Sequence, residues 1–335
     1  MVRTGSNAFV HYGEESTFAG GATQTRAFGL EQKVNSLTFK NNQIALSQLY
    51  DIEVASFAYG KNEGSGSLDF VLSNPWVFDT LLGGVDTSGS SNNYTHIWDS
   101  DYSNLTADNT GIRHPKSFDI EVGFDTKTST DVLRNLKGSV FTQLNVKSSV
   151  GETVKGTMDF IYGAVDTIDT SVSGITPIGD GIDFPYTFSH ASIELLDGST
   201  VAEVQDIDIT LAANTELLYS QGSPSAVGSF RKLFEMTGKF NASFIDKTQL
   251  QRVFDRTEVA TLTVEFTNGL SGTSEKSIKL EFAGISVSEH SLSIAPNEPV
   301  FEDVTFQMRN VKVTANNSVS KTVGTSGDTD GIMTN

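Results

Sequence analysis

Residues 66–84, GSLDFVLSNPWVFDTLLGG, combine the pattern of a half-buried strand with that of a short amphipathic helix. Apolar and polar side chains alternate at the start of this stretch, which is the period of a strand with one buried face. Asn74 is placed to cap a helix, and Pro75 suits the first helical position because its missing N–H needs no partner there. Apolar side chains then recur at helical spacing until Gly83 and Gly84 end the helix. The stretch predicts a strand, a cap, a short helix and a stop.

Residues 238–255, GKFNASFIDKTQLQRVFD, repeat this order, with Asp246 at the capping position. The two stretches start 172 positions apart (238 − 66). Upstream, residues 34–39 (VNSLTF) match residues 204–209 (VQDIDI) at a spacing of 170 (204 − 34). Any β-rich chain repeats strand and turn, but two distant blocks at nearly one spacing favour a duplicated domain over a short solenoid repeat.

The duplication predicts two domains. Residues 1–170 form the first, which includes a polar N-terminal arm over residues 1–26 and a long loop over residues 84–116. Residues 171–335 form the second, which ends in a polar C-terminal tail. A chain of 335 residues is long enough for two cores of ordinary size.

Composition limits the classes of protein that this chain can be. It has 37% hydrophobic residues, 30 Gly, 22 Phe and no Cys, so disulfides, thiol catalysis and Cys-ligated zinc are excluded. The N-terminus lacks a signal-peptide pattern, and no apolar run approaches the length that spans a bilayer. We therefore expect a β-rich protein without a membrane anchor.

The net charge of −18 is spread along the chain. Residues 1–170 contain 12 Lys/Arg and 20 Asp/Glu, and residues 171–335 contain 11 and 21, which gives −8 and −10. Such a surface repels nucleic-acid phosphate rather than binding it tightly. Charge alone fits an ordinary acidic protein equally well.

The long loop at 84–116 has no counterpart after residue 255. Loops of this length in a compact domain are usually functional or disordered, and its aromatic content argues against disorder. The sequence predicts an ordered excursion that docks on another surface. The candidate assembly residues in it are Tyr94, Ile97, Trp98 and Tyr102.

The search for sites of chemistry finds little. His96 and His114 share the long loop with Asp99 and Asp101, which makes a metal site conceivable, but a calcium loop starting at Asp99 lacks the required Gly and Glu. Nucleotide, serine-hydrolase and zinc-protease motifs are missing from the sequence. We predict no catalytic residues, no bound metal, no cofactor and no enzymatic activity.

Three segments resemble the major tail tube proteins of long-tailed bacteriophages and related viruses. They are residues 12–18 (YGEESTF), 60–70 (GKNEGSGSLDF) and 192–210 (SIELLDGSTVAEVQDIDIT). The likeness lies in the order and texture of most of the chain rather than in one diagnostic motif, and the long loop departs from it. The resemblance implies a mostly β fold of two tandem tail-tube-type β-sandwich or barrel domains, each with one short flanking α-helix.

The resemblance also implies a function and partners. Sheets of neighbouring subunits join into a barrel around a channel, and stacked rings form a tube that conducts the viral genome. Because single-domain relatives form six-membered rings, a duplicated chain implies a trimer with pseudo-sixfold symmetry. The implied partners are other copies of the chain, the tape measure protein and double-stranded DNA in the lumen, and the tail terminator and distal tail proteins. The implied location is the virion tail, assembled in the host cytoplasm.

An acidic lumen would let DNA slide without sticking. The lumen-facing candidates, chosen as outward acidic residues on predicted strands, are Glu53, Asp119, Glu121, Asp206, Asp208 and Glu265. Two alternatives remain open at this point: a tail-tip, decoration or adhesin-type binding module, and the tube protein of a contractile secretion system.

Overall fold

A computed structural model gives the fold of the chain. It describes residues 8–22, 24, 26–48, 53–90, 93–101, 116–124, 132–166, 184–195, 204–244, 247–256, 258–294, 296–297 and 299–317. The described chain is mostly antiparallel β, as predicted, with two α-helices, α1 (Val77–Leu82) and α2 (Thr248–Asp255). The expected domain boundary at residue 170 lies outside the described residues.

The strands of the first half of the chain are β1 (Ala8–Glu14), β2 (Arg26–Ala27), β3 (Leu30–Lys40), β4 (Ile44–Ser47), β5 (Val54–Ala58), β6 (Glu63–Val71), β7 (Asp86–Ser90), β8 (Asn93–Asp99), β9 (Phe118–Phe124), β10 (Val132–Ser149), β11 (Lys155–Tyr162) and β12 (Ala164–Val165). Those of the second half are β13 (Ala191–Leu195), β14 (Val204–Ala212), β15 (Thr215–Leu218), β16 (Gly228–Arg231), β17 (Glu235–Ser243), β18 (Glu258–Thr267), β19 (Ser277–Ser293), β20 (Phe301–Met308) and β21 (Asn310–Asn317).

One antiparallel sheet of eight strands runs through both halves in the order β3–β6–β11–β10–β14–β17–β20–β19. Each half supplies four of these strands, and the two halves join where β10 pairs with β14. Within the described residues the pairings do not return from β19 to β3. The sheet of a single chain is therefore open, and the barrel that the sequence allowed is not closed within one chain.

The two longest strands, β10 and β19, also build a second layer. Their first parts pair with β9 and β18, which continue to β1 and β13 respectively. Each long strand has a β-bulge where it passes into the eight-stranded sheet, between Phe141 and Gln143 and between Val287 and Glu289. Just before each bulge lies a glycine with positive φ, Gly138 and Gly284. Such bulges bend strands from one layer into another.

The buried apolar side chains form one contiguous core that includes residues of both halves. Alternation on β6 places Leu68 and Phe70 in this core, as predicted. Gly66 lies beneath the ring of Phe160, and Gly238 lies beneath the ring of Phe306. A Cβ at either glycine would collide with that ring, which explains why these strand positions lack a side chain.

Part of the N-terminal arm predicted for residues 1–26 is a strand, β1 (Ala8–Glu14), which lies in the second layer. Strand β1 pairs with β9, and Tyr12 is fully buried. The buried Glu15 carboxylate accepts the N–H groups of Ala19 (3.0 Å) and Gly138 (3.2 Å). The YGEEST segment is thus an anchored turn that closes over the core, because its acidic side chain satisfies otherwise buried donors.

Helix α1 begins later than predicted. The Asn74 side chain accepts the N–H of Trp76 (3.1 Å), and the regular helix starts at Val77. All six residues of α1 are buried, whereas none of the residues of α2 is.

The stretch at 84–116, predicted to be an irregular loop, contains the β7–β8 hairpin. Strand β8 pairs with β21 of the second half and covers α1. Residues 102–115 lie outside the described residues.

Candidate assembly surfaces

One face of the eight-stranded sheet packs on the core and the opposite face is polar. Burial alternates along β6, β11, β14 and β17, so every second side chain points away from the core. We call this the polar face, and its residues include Asp69, Gln143, Asn145, Lys147, Thr157, Asp159, Asp206, Asp208, Thr210, Lys239, Asn241, Asp303 and Thr305.

Side-chain hydrogen bonds cross the strands of the polar face. Where the halves join, Asn145 Nδ2 donates to Thr210 Oγ1 (3.0 Å) and to Asp208 Oδ1. Thr157 Oγ1 donates to Asp69 Oδ1 (2.8 Å). Cross-strand polar pairs of this kind stabilise a solvated sheet face and fix its register. The join between the halves is therefore specified by side chains as well as by the backbone.

Only part of the set of predicted lumen residues lies on this face. Asp206 and Asp208 are on it, beside the join between the halves. Asp119 and Glu121 lie on β9 and Glu265 lies on β18, in the second layer, while Glu53 precedes β5. The Asp119 carboxyl is buried, and this burial raises its pKa. Which of the six line a channel stays a prediction, and the structure places only Asp206 and Asp208 on the polar face.

The two ends of the sheet are long strand edges. Strand β3 pairs only with β6 among the described residues, and the second part of β19 pairs only with β20. Both edges expose large apolar side chains, Val34 and Phe39 on β3 and Leu292 on β19, followed by Ile294. Long apolar edges of this kind promote pairing with another chain.

The described aromatic residues of the 84–116 stretch make contacts within the same chain. Trp98 is 0% exposed and packs edge-on against Trp76 at 5.9 Å between ring centroids. Its indole N–H donates to Asp79 Oδ1 (3.4 Å), and Asp79 Oδ2 lies 3.1 Å from Arg26 Nη1. Tyr94 and Ile97 are half-buried, and Tyr102 lies outside the described residues. Trp98 therefore secures β8 to α1, which fastens the first half to the β21 edge of the second.

The histidine considered as a metal ligand is hydrogen-bonded inside this hairpin. His96 Nδ1 lies 2.9 Å from Thr87 Oγ1, and Nε2 lies 3.0 Å from Asn317 Oδ1. His114 falls outside the described residues, and among those described no cluster of three or more His, Asp or Glu side chains could hold a metal ion.

Sequence reasoning missed a pair of two-stranded hairpins, one in each half. Hairpin β4–β5 follows β3, and hairpin β15–β16 follows β14 at the same point of the second half. The alternation of Ile44 and Leu46 with smaller residues was the available signal. The sequence could not show that these apolar side chains are exposed.

The described part of the chain thus combines an open sheet with a polar face and two long edges that expose apolar side chains. The family model described as "Phage tail tube protein" matches residues 5–308, and the chain belongs to that family. The family resemblance expected from the sequence is thereby confirmed. No curated protein matches the chain.

Membership of this family identifies the chain as a structural component of the virion tail that self-assembles into a tube. Neither helix in the described part of the chain is long and apolar enough to cross a membrane.

Proposed function

We propose that three copies of this chain close a ring with pseudo-sixfold symmetry, and that stacked rings form the channel through which the genome passes. The observation that carries the proposal is the β10·β14 joint, which merges four strands from each half into one sheet. The joint supplies a template for how one copy pairs with the next. The role is structural, and we assign no catalytic step to it.

The proposal rests on the two halves being copies of one fold, and their topologies support this. Strands β1, β9, β10, β11, β6 and β3 pair in the same order as β13, β18, β19, β20, β17 and β14. A two-stranded hairpin interrupts each half after β3 and β14, and a helix follows β6 and β17. The bulges and positive-φ glycines of β10 and β19 coincide at a spacing of 146 (284 − 138).

The strand registers also refine the repeat. Leu37 lies opposite Gly66, and Ile209 lies opposite Gly238, so β3 and β14 correspond at a spacing of 172 (209 − 37). The spacing of 170 inferred from the sequence was therefore two residues out of register for this block.

In this correspondence β19 is the equivalent of β10, and β3 is the equivalent of β14. Strand β10 pairs with β14 through one edge, and the equivalent edge of β19 has no partner strand among the described residues. We infer that β3 of one copy pairs with β19 of the next as β14 pairs with β10. Gln143 pairs with Ala212 in the template, which places Glu289 opposite Lys40 between copies. Opposite charges at directly facing positions favour that register.

Three copies of an eight-stranded sheet give a barrel of about 24 strands, and strand number sets barrel width. The same number follows from six single domains with four strands each. The core face of the sheet is occupied, so the polar face lines the channel. Its carboxylates, Asp206 and Asp208 among them, would keep DNA phosphate from binding tightly. The tape measure protein would occupy the channel before DNA, and the terminator and distal proteins would cover the open rings.

A charge swap tests the joint between copies. Glu289→Lys should abolish rings and tubes in negative-stain images, because it places two lysines opposite each other. The double variant Glu289→Lys with Lys40→Glu should restore them. The control is Glu235→Lys, an exposed residue of β17 away from both edges. A double variant that stays monomeric would refute this register, and a wild-type protein that forms neither rings nor tubes would favour a surface-binding module instead.

A further inference from the structure

The β15–β16 hairpin of the second half is docked on the first half. Thr215 Oγ1 donates to the carbonyl of Phe141 in β10 (3.3 Å), and Arg231 Nη2 donates to the carbonyl of Leu81 in α1. Ala226 packs so closely on Gly163 that a Cβ at residue 163 would collide with it. The hairpin therefore covers the corner formed by α1, β10 and the end of β11.

Contacts at the tip extend this docking. Tyr219 Oη donates to the carbonyl of Asn62 (2.6 Å), and the N–H of Asn62 donates to the carbonyl of Pro224 (2.7 Å). The Lys61 ammonium lies 4.9 Å from the centre of the Tyr219 ring. These contacts hold a second-half hairpin against the segment that leads into β6.

The β4–β5 hairpin has the same construction and projects from its own half with its apolar side chains exposed. Ile44 pairs with Ala58 where Glu216 pairs with Phe230, so the two hairpins correspond at the spacing of 172 found for the flanking strands (216 − 44). Tyr59, which is 71% exposed, occupies the position equivalent to Arg231. The other large exposed apolar side chains of this hairpin are Ile44, Leu46, Val54 and Phe57.

A protruding hairpin that exposes this many large apolar side chains is expected to meet a partner. The matching partner surface is also exposed. The corner that corresponds to the β15–β16 dock consists of α2, β19 and the end of β20. There Ser288, Arg309 and Phe254 are exposed, and Phe254 has 72% of its surface accessible.

We propose that the β4–β5 hairpin of one copy docks on the α2–β19–β20 corner of the neighbouring copy in the same ring. This inference rests on the proposed ring and names the second contact that builds it. Val54 and Arg309 correspond to Ala226 and Gly163. Because Arg309 has a side chain where the template has none, the two backbones lie further apart at this point than in the template. Tyr59 and Val253 correspond to Arg231 and Leu81. The hairpin covers the apolar side of α2, and the exposed apolar side chains of the hairpin become buried in the same contact.

The occupant is a second copy rather than another protein because the template lies within the chain itself. The β10·β14 joint and the β15–β16 dock come from the same neighbouring elements, since β15 follows β14 directly. A copy whose β3 pairs with β19 therefore brings its own β4–β5 hairpin to the corner without any further rearrangement. A single relative placement of two copies therefore makes both contacts, the pairing of β3 with β19 and the hairpin dock.

Disulfide trapping tests the inference cleanly because the chain has no cysteine. We would introduce Val54→Cys and Arg309→Cys together, assemble the protein with reductant, oxidise it and separate the products on a non-reducing gel. The expected result is a ladder that ends at a covalent trimer, since each copy donates residue 54 to one neighbour and residue 309 to the other. Crosslinking should be at least about tenfold faster than for a control pair, because docking raises the effective concentration of the two thiols.

The control pair is Val54→Cys with Leu270→Cys, which places the second thiol at an exposed site outside the corner. Thermal unfolding under reducing conditions checks that both variants fold as the parent does. A ladder that continues past three chains would place the hairpin between stacked rings and overturn the inference. A fast-migrating monomer, or yields no better than the control in samples that show rings, would overturn it as well.

Electron microscopy of the same samples separates this inference from the proposed function. Rings without the crosslink would refute the hairpin dock alone. The absence of rings and tubes in the cysteine-free parent protein would refute both the dock and the proposed ring.

Discussion

Helix α1 follows β6 and helix α2 follows β17, at the same place in the strand order of the two halves. Every residue of α1 is buried, whereas the residues of α2 are half-buried or exposed. Three elements cover α1: strand β8 through Trp98, the Arg26 side chain, and the β15–β16 hairpin through Arg231. No residue of α2 is buried. The second half has no counterpart of the β7–β8 hairpin in the described part of the chain. In the proposed ring, the hairpin that would cover α2 belongs to another copy.

The composition of the helices matches this difference. Helix α1 is VFDTLL, and its two polar side chains are satisfied internally: Asp79 faces Arg26, and Thr80 Oγ1 donates to the carbonyl of Val77 (2.7 Å). Helix α2 is TQLQRVFD; most of its side chains are polar, and Phe254 is exposed to solvent. A surface helix that keeps an exposed Phe fits a contact made only on assembly.

The largest expected effect falls on the buried helix. Trp98→Ala should lower the free energy of unfolding by about 3–5 kcal/mol, because it leaves a cavity between α1 and β8. Urea denaturation of the unassembled chain measures it. The matched variant Phe254→Ala in α2 should change the same quantity by less than about 0.5 kcal/mol. Equal losses would show that the two helices are not distinguished by burial.

Substitutions at equivalent positions of β6 and β17 should cause smaller losses in the free energy of unfolding, and the two losses should be equal. Gly66→Ala and Gly238→Ala each place a methyl group against a phenylalanine ring, so each should cost about 1–3 kcal/mol through overpacking. The same denaturation assay applies, with Gly222→Ala as a control for a turn glycine whose added Cβ meets nothing. Because φ is positive at that control position, it reports backbone strain alone. A neutral Gly238→Ala beside a costly Gly66→Ala would break the equivalence of β6 and β17.

A substitution in α2 that has little effect on stability should have a large effect on assembly. Phe254→Asp should leave the unassembled chain folded and reduce tube formation, since it puts a charge at the proposed docking site of the neighbouring hairpin. Gln251→Asp, on the same helix with an exposed polar side chain, is the control. Sedimentation of polymer at a series of protein concentrations gives the comparison, and unchanged assembly of the Phe254 variant would count against the dock.

The smallest effect concerns pH. Burial raises the pKa of Asp119 on β9, while the equivalent position on β18 is Thr261. A carboxyl whose pKa is raised by folding binds its proton more tightly in the folded state, so stability falls as pH rises from its ordinary value of about 3.9 through the raised one. Asp119→Asn should flatten this part of the curve of stability against pH, because the amide has no proton to bind. Parallel curves for the parent and Asp119→Asn would contradict the assignment.

The sequence predicts what is local. Alternation predicted β6, β17 and most other strands correctly. The capping prediction for Asn74 was wrong, because its side chain bonds to the turn that precedes the helix and Trp76 occupies the N-cap position. The placement of partners was out of reach because it depends on contacts between distant segments. The pairing of β1 with β9 and the burial of Trp98 by α1 are examples. Asp206 and Asp208 could be chosen as outward residues of a strand, but nothing in their spacing separates them from Asp119, which a second layer buries.

The β10·β14 joint has a kinetic consequence. If the joints between copies follow the same pattern, a ring with six sheet joints contains three that form within single chains during folding. Only two encounters between diffusing molecules then remain, because the third joint between chains closes the ring, whereas six unlinked domains would need five. Because a tethered partner is present at high effective concentration, ring formation should have a lower reaction order and persist at greater dilution.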